Sequence, residues 1–283
     1  MMQRHNYRLM VLGCSIIWLL AACGSPKYFV HAPTPVNNPF LKEKNDIQLT
    51  ANVLLGEGIA TPGLDFQSAY AISDHLAFTA SFSKRPERNK YKEHDNIFSQ
   101  SPDSAGLRYM RNNAEFAVGY FTPINTAKTV YFNMYGGWGF GKNIFTQNKK
   151  QEQAAPKEDV YRIPLQKWFI QPSLNFMMGE HFRMGVALKA SWLQFQTPAT
   201  SFTEQDLLDI GFSRYSQRTI FLAEPATSMQ FVPENSPVSF NININLLALP
   251  ADDDDHIMRS NVYFRRINLA LGVMLHVGQL FKK

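Results

Sequence analysis

Residues 238–246 read VSFNININL, and residues 267–277 read INLALGVMLHV. In both stretches, large apolar side chains alternate with polar or small ones. A period of two places the two kinds of side chain on opposite faces of a β-strand. Residues 182–192, FRMGVALKASW, repeat the pattern. Several such runs exceed the ~5–6 residues of an ordinary sandwich strand, which favours a barrel over a sandwich.

Weaker alternation elsewhere completes a set of ten predicted strands. They are residues 45–56, 63–72, 75–84, 107–122, 129–145, 162–178, 181–196, 217–232, 237–249 and 260–277. Most short connections alternate with long ones (85–106, 146–161, 197–216 and 250–259), and a capped helical turn is predicted at 203–208. This rhythm is typical of an up-and-down antiparallel transmembrane β-barrel. An even strand number predicts that both barrel termini lie on one side, the periplasmic side.

The first residues have the features of a secretory signal. Arg4 and Arg8 precede an apolar run that ends at Leu20. That run is too short for a spanning helix of ~20 residues. The sequence Leu20-Ala21-Ala22-Cys23 resembles the lipobox of bacterial lipoproteins. The resemblance implies that residues 1–22 are removed and that Cys23 is acylated.

The same resemblance predicts how the chain is divided and where it is anchored. Residues 1–22 are the signal peptide, 23–44 a lipidated N-terminus with a proline-rich linker, and 45–283 the barrel. Gly24 follows Cys23, and no acidic residue occurs before Glu43. By analogy with lipoprotein sorting, this favours the outer membrane. We expect the lipid in the inner leaflet, where sorting delivers it.

Over most of residues 45–277 the pattern resembles small outer-membrane β-barrel proteins, without matching a particular member. The resemblance implies three partners: outer-membrane lipid, lipopolysaccharide and the barrel-assembly machinery. Three tryptophans are predicted to form an aromatic girdle near the outer rim: Trp138, Trp168 and Trp192. The chain ends Phe281-Lys282-Lys283, so it departs from the terminal aromatic residue that is common in such barrels.

Ionisable residues at lumen-facing positions are the candidate functional set. They are Asp65, Glu115, Arg183, Lys189, Glu224 and Arg266. Buried charges must be paired or hydrated, so two interpretations stay open: an ion-paired packed interior, or a polar path for a small solute. Glycines at 137, 139 and 141 also face inward. They either leave space for a ligand or allow large neighbours to pack, and packing is favoured.

Other functions find little support in the sequence. A net charge of +5 is too small and scattered for nucleic-acid binding. Asp252, Asp253, Asp254 and Asp255 are only weak metal candidates, because their spacing matches no EF-hand. No catalytic motif and no cofactor site is recognised, so an enzyme is not expected, although catalysis stays open.

The sequence thus predicts a structural or interaction role at the cell envelope, with an unknown protein partner. Three alternatives remain: solute transport or binding through the lumen, a lipid-anchored periplasmic β-sandwich or lipocalin-like binding protein, and a rim hydrolase that acts on lipid. A basic cluster at Lys84, Arg85, Arg88, Lys90 and Lys92 in loop 85–106 is a weaker candidate for contact with lipopolysaccharide, because a solvated loop of mixed charge is favoured there.

Overall fold

The computed structural model describes residues 28–55, 62–90, 106–149, 157–210, 217–234, 236–248, 262–264 and 266–280. Cys23, the four aspartates at 252–255 and the C-terminal Phe281 lie outside these ranges, so the predictions on them remain predictions.

The structure is almost entirely β. The strands are β1 (Tyr28–His31), β2 (Ile47–Leu55), β3 (Gly63–Ala71), β4 (Leu76–Lys90), β5 (Gly106–Pro123), β6 (Val130–Lys149), β7 (Lys157–Met178), β8 (Phe182–Phe195), β9 (Ala199–Thr200), β10 (Thr219–Phe231), β11 (Val238–Leu246), β12 (Val262–Phe264) and β13 (Ile267–His276). The described residues also form two short helices, α1 (Glu204–Ile210) and α2 (Val277–Leu280). No helix among the described residues is long and apolar enough to cross a membrane.

Ten of the strands form one closed barrel. Each pairs antiparallel with its neighbours in the order β2, β3, β4, β5, β6, β7, β8, β10, β11, β13, and β13 pairs with β2 to close the ring. The predicted fold class, an all-β up-and-down antiparallel barrel of about ten strands, is confirmed. Ile47 at the start of β2 pairs with Tyr70, just before the tight turn at 72–75. We call this the short-turn end of the barrel and the opposite end the long-loop end.

Three predicted boundaries were wrong at the long-loop end. The β4–β5 and β6–β7 pairs continue to Lys90 and Lys149, well into the segments expected to be loops. The last predicted strand divides in two, because β12 leaves the barrel wall and pairs in parallel with β1. Arg85, expected in a surface loop, is buried on the inner face of β4 and donates to Asn268 Oδ1 at 3.0 Å.

The outward face of the wall is apolar over a continuous band. On β7 it extends from Trp168 to Met178, and on β11 from Val238 to Leu246. Ten residue steps at ~3.3 Å, tilted by ~40°, cover about 25 Å of height, which is the height of the apolar band in outer-membrane barrels. Beyond the band, the outward residues become polar. The first polar residues towards the long loops are Lys84, Asn112, Lys142, Gln166 and Gln194.

The interior is layered along the barrel axis. One apolar cluster, which includes Phe145, Tyr161 and Phe195, fills the long-loop end. The predicted helical turn is present there as α1, which Thr203 caps by accepting from the Asp206 amide at 3.2 Å. A second apolar cluster, around Phe121 and Tyr131, fills the short-turn end. The inward residues between the two clusters are mostly polar.

Candidate functional site in the barrel lumen

The chain itself passes through the lumen before the first barrel strand. Residues 31–44, here called the lumen segment, leave β1 at the long-loop end and reach β2 at the short-turn end. Most of this segment is buried, including Val36, Phe40 and Leu41. The proline-rich stretch is extended, as its prolines indicate. It is not a free linker, however, because it lies inside the barrel.

The three prolines of this segment are bonded to Asn and Gln side chains of the wall. Proline has no N–H, so each of these three residues offers only its carbonyl oxygen to its surroundings. The carbonyl oxygens of three prolines each accept an amide N–H from the wall. The pairs are Asn268 Nδ2 to Pro33 at 3.2 Å, Gln67 Nε2 to Pro35 at 3.2 Å, and Asn175 Nδ2 to Pro39 at 2.8 Å.

Several other backbone and side-chain groups of the segment are also bonded to the wall. Val36 N–H donates to Asn245 Oδ1 at 2.9 Å. Phe40 and Gln48 exchange two hydrogen bonds, at 3.1 and 2.9 Å. Asn38 Nδ2 donates to Asn175 Oδ1 at 2.7 Å. Buried backbone groups that are satisfied in this way hold the segment in one register.

The segment leaves the lumen through a tight turn at the short-turn end. Asn45 has a φ of 65°, a left-handed conformation that Asn tolerates better than most residues. Its N–H donates to Ala71 O at 2.8 Å, and Lys44 N–H donates to Asp74 Oδ1 at 2.9 Å. Burial raises the pKa of the Asp46 carboxyl, which accepts from the Lys42 N–H at 3.2 Å.

Four charged side chains form a cluster at mid-lumen, here called the ion cluster: Glu115, Lys167, Lys189 and Glu224. Lys167 Nζ lies 2.5 Å from Glu115 Oε1 and 3.5 Å from Glu224 Oε1. Lys189 pairs with the other Glu115 oxygen and lies 4.4 Å from the centroid of the Phe169 ring. Two acids and two bases compensate each other within a region that excludes most solvent.

The ion cluster also contacts the lumen segment and the rest of the wall. Thr34 Oγ1 donates to Glu115 Oε1 at 3.0 Å, so the segment is bonded directly to the cluster. Ser191 Oγ donates to Glu224 Oε1 at 2.8 Å. Glu224 and Lys189 are register partners on β10 and β8, but the direct ion-pair contact of Lys189 is with Glu115 on β5.

The structure places five of the six predicted lumen residues inside the barrel. Glu115, Lys189 and Glu224 belong to the ion cluster, and the other two lie apart from it. Asp65 is buried on β3 and accepts from Asn52 Nδ2 at 2.8 Å. Arg183 is buried near the short-turn end, and its Nη1 donates to Gln230 at 3.4 Å. Arg266 is exposed just before β13 and is not part of the lumen set. The alternation that places it inward applies only from Ile267 onward, where β13 begins.

Lys167 is a lumen residue that the sequence analysis missed. A signal for it was available, because Leu165, Lys167 and Phe169 alternate with the outward Trp168 on β7. The lumen segment had no comparable sequence signal, since prolines and asparagines are equally compatible with an extended chain inside a barrel and outside it.

Packing accounts for the inward glycines of β6. A Cβ at Gly137 would lie 2.7 Å from the Ala117 Cβ and would also overlap the Phe169 ring. A Cβ at Gly141 would overlap the Asn113 side chain.

Two interior cavities that the lumen segment borders hold only about 10 Å³ each, close to the space of one water. A larger depression of about 760 Å³, bordered by Leu49, Phe66 and Phe116, is lined mainly by outward-facing residues.

The three predicted girdle tryptophans lie together on the outer face. Trp138 pairs in register with Trp168, and Trp168 pairs with Trp192. Trp168 is 59% exposed and Trp192 is 43% exposed, and each is the last apolar outward residue before a glutamine. The Trp138 and Trp168 rings are 6.1 Å apart. They therefore mark the long-loop edge of the apolar band.

Among the described residues, the histidines near serines or turns are buried or bonded to backbone carbonyls. His276 Nε2 lies 3.1 Å from Ser239 Oγ, but Ser239 is fully buried and its hydroxyl also contacts Gln230 at 2.5 Å. His75 and His181 bond to backbone carbonyls at the turns. Among the described ranges, no group of three or more His, Cys, Asp or Glu side chains is placed to hold a metal ion.

Comparison with known proteins supports no assignment of family. No protein-family model and no curated protein matches the sequence. The outer membrane protease OmpT from Escherichia coli aligns over 83% of this chain and 94% of its own, at 9% identity and a TM-score of 0.47. OmpT, an outer membrane protein of Vibrio cholerae, aligns over 82% of this chain and 96% of its own, at 7% identity and a TM-score of 0.27. Likenesses this distant carry no information on activity.

Proposed function

We propose that this protein is an integral barrel of the bacterial outer membrane, acylated at Cys23, with a closed lumen and a structural or interaction role at the cell envelope. The observation that carries the proposal is the outer face of the wall. Among the described residues, the outward positions of the apolar band contain no Lys, Arg, Asp or Glu on any of the ten strands.

The direction of the alternation separates this proposal from a soluble barrel. A lipocalin-like protein would place its apolar side chains inside and its polar ones outside. Here Phe240, Ile242 and Ile244 point outward, and Asn241, Asn243 and Asn245 point into the lumen. A periplasmic β-sandwich is contradicted by the closed ring of ten strands.

The contents of the lumen favour a structural role over transport. The lumen segment, the ion cluster and two apolar clusters occupy the interior along its length. A solute path would need the segment to move and its hydrogen bonds to the wall to break. We therefore expect the folded protein to conduct no ions.

The first experiment separates the barrel from the lipid anchor. Residues 1–22 are replaced by a signal that is cleaved without acylation, Cys23 is changed to Ala, and the rest of the chain is kept because residues 31–44 fill the lumen. We expect the protein to stay with outer membranes after carbonate washing and to shift in gel mobility on boiling. Release as a soluble folded protein would contradict membrane insertion.

Two further measurements test acylation and closure separately. Cells fed an alkyne-labelled fatty acid should label the wild-type protein, and the Cys23→Ala variant should stay unlabelled. The purified barrel should give no stepwise conductance in planar bilayers. Steady conductance steps from the wild-type protein would favour the transport alternative instead.

A further inference from the structure

We infer that the mature N-terminus emerges at the long-loop end of the barrel, so that an acyl group on Cys23 inserts into the leaflet on the long-loop side. This inference rests on the proposed function, since it assumes membrane insertion and acylation at Cys23. It replaces the inner-leaflet position that lipoprotein sorting alone suggests.

The first step is the direction in which the segment runs. The wall partners of the segment follow one another in axial order. Pro33 is bonded to Asn268, the second residue of β13, at the long-loop end. Phe40 is bonded to Gln48, the second residue of β2, at the short-turn end. The chain therefore enters at the long-loop end and leaves at the short-turn end.

The second step is the position of β1. Its residues pair with β12, which belongs to the long connection between β11 and β13. Val262 pairs with Tyr28, so the chain at Tyr28 has already passed the long-loop end of the lumen. The start of β1 is thus on the same side of the membrane as the long loops.

The third step is the reach of the chain between Cys23 and Tyr28. Five residue steps span at most about 18 Å when fully extended. The lumen segment itself uses thirteen steps, about 43–47 Å when extended, to cross from His31 to Lys44. A lipid on Cys23 cannot return to the short-turn side over that distance, and the lumen offers no free path beside the segment.

The fourth step is the height of the rim near β1. The wall is lowest there, since β2 ends at Leu55, β11 ends at Leu246 and β13 begins at Ile267. All three are outward-facing residues of the apolar band. On the opposite side, β6 and β7 stand several residues above the band. The apolar layer of the membrane therefore comes close to the rim at the point where the N-terminus emerges, within reach of an acyl group on Cys23.

The inference is tested with epitope tags in full-length, acylated protein on intact cells. One tag is inserted between Ser25 and Pro26, one in the 250–259 connection, and one in the turn at Ser73–Asp74. We expect the first two tags to bind antibody on intact cells and the third to bind only after permeabilisation. The inference would be overturned if the 25–26 tag behaved like the 73–74 tag and unlike the 250–259 tag, that is, if it became accessible under the same condition as the short-turn end.

The control tags also separate this inference from the proposed function. If the 73–74 tag is exposed and the other two are hidden, the assumed orientation in the membrane is wrong, but the N-terminus still follows the long loops. If all three tags are hidden on intact cells and the protein is washed out by carbonate, membrane insertion itself fails.

A cross-link provides an independent test of the path through the lumen. The variant N38C/N175C places two thiols where the side chains are 2.7 Å apart. A disulfide should form between residues 38 and 175 when the barrel folds under oxidising conditions, since no reagent then has to enter the filled lumen. The matched pair N38C/I170C, which has its second thiol on the outer face of β7, should not react. Equal cross-linking of the two pairs, or none in either, would contradict threading.

Discussion

Replacing Glu115 with Gln tests the ion cluster most sharply, because this carboxylate compensates two lysines at once. Lys167 lies 2.5 Å from one oxygen, and Lys189 pairs with the other. The glutamine side chain would keep the shape and the Thr34 hydrogen bond but would leave two ammonium groups against Glu224 alone. Breaking a buried pair by removing one partner costs about 3–5 kcal/mol. We expect the free energy of unfolding to fall by that amount.

The compensating variant is Glu115→Gln combined with Lys189→Met, which restores neutrality between Lys167 and Glu224. Each single substitution should be costly, and the double variant should cost less than their sum by about 0.5–3 kcal/mol, the range for residues in direct contact. Glu158→Gln on the exposed outer face of β7 is the control, with an effect within ~0.5 kcal/mol.

The assay is urea unfolding of the barrel in phospholipid vesicles, with the folded fraction read from gel mobility without boiling. A cost below ~1 kcal/mol for Glu115→Gln, outside the 3–5 kcal/mol range for a broken buried pair, would refute the argument that these charges are dry and mutually compensated. Strict additivity of the two single substitutions would refute it as well.

Three other substitutions test packing, the lumen segment and the lipid-facing surface. Gly137→Ala should destabilise the barrel by about 1–3 kcal/mol in the same assay through overpacking against Ala117 and Phe169, whereas Gly136→Ala, with open space around its Cβ position, should be nearly neutral. Gly185→Leu should displace the lumen segment, because a Cβ there already lies 2.7 Å from Asn175 Oδ1 and overlaps Asn38. Limited proteolysis should then cut within the buried residues 31–41, whereas Gly278→Leu should leave them protected. Leu174→Arg at the middle of the outer apolar band on β7 should cost about 2–4 kcal/mol in vesicles, with Gln166→Arg above the band costing much less; equal costs would contradict the placement of the membrane at this band.

The strands could be predicted because the wall has one consistent rule. An apolar environment outside and a polar one inside impose a period of two on every barrel strand, and the register then follows from short turns such as 72–75. The strand ends near the long loops were less predictable. Above the apolar band the outward residues become mostly polar, whereas inward residues such as Phe145 and Tyr161 are apolar, so the alternation of the band does not continue although β4 and β6 extend to Lys90 and Lys149.

The lumen segment was not predictable from local pattern. Its contacts join residues far apart in the chain, such as Val36 with Asn245 and Thr34 with Glu115. The sequence signal for a filled lumen was in the barrel wall instead. A row of inward asparagines on β11 needs hydrogen-bond partners, and where solvent is excluded the wall strands alone do not supply enough of them. Lys167 was missed for a simpler reason, namely that strand β7 was read from its aromatic outer face.

Hydrogen exchange of the amides in the lumen segment is the most direct test of a membrane barrel that is filled by its own N-terminal chain. The Val36 and Phe40 amides donate to Asn245 and Gln48 inside the wall. With the native chain folded in detergent micelles, these two amides should exchange as slowly as amides at the centre of β11 and β13. Exchange at the rate of an unstructured peptide, while the strand amides stay protected, would show that the segment lies outside the barrel and would contradict the account.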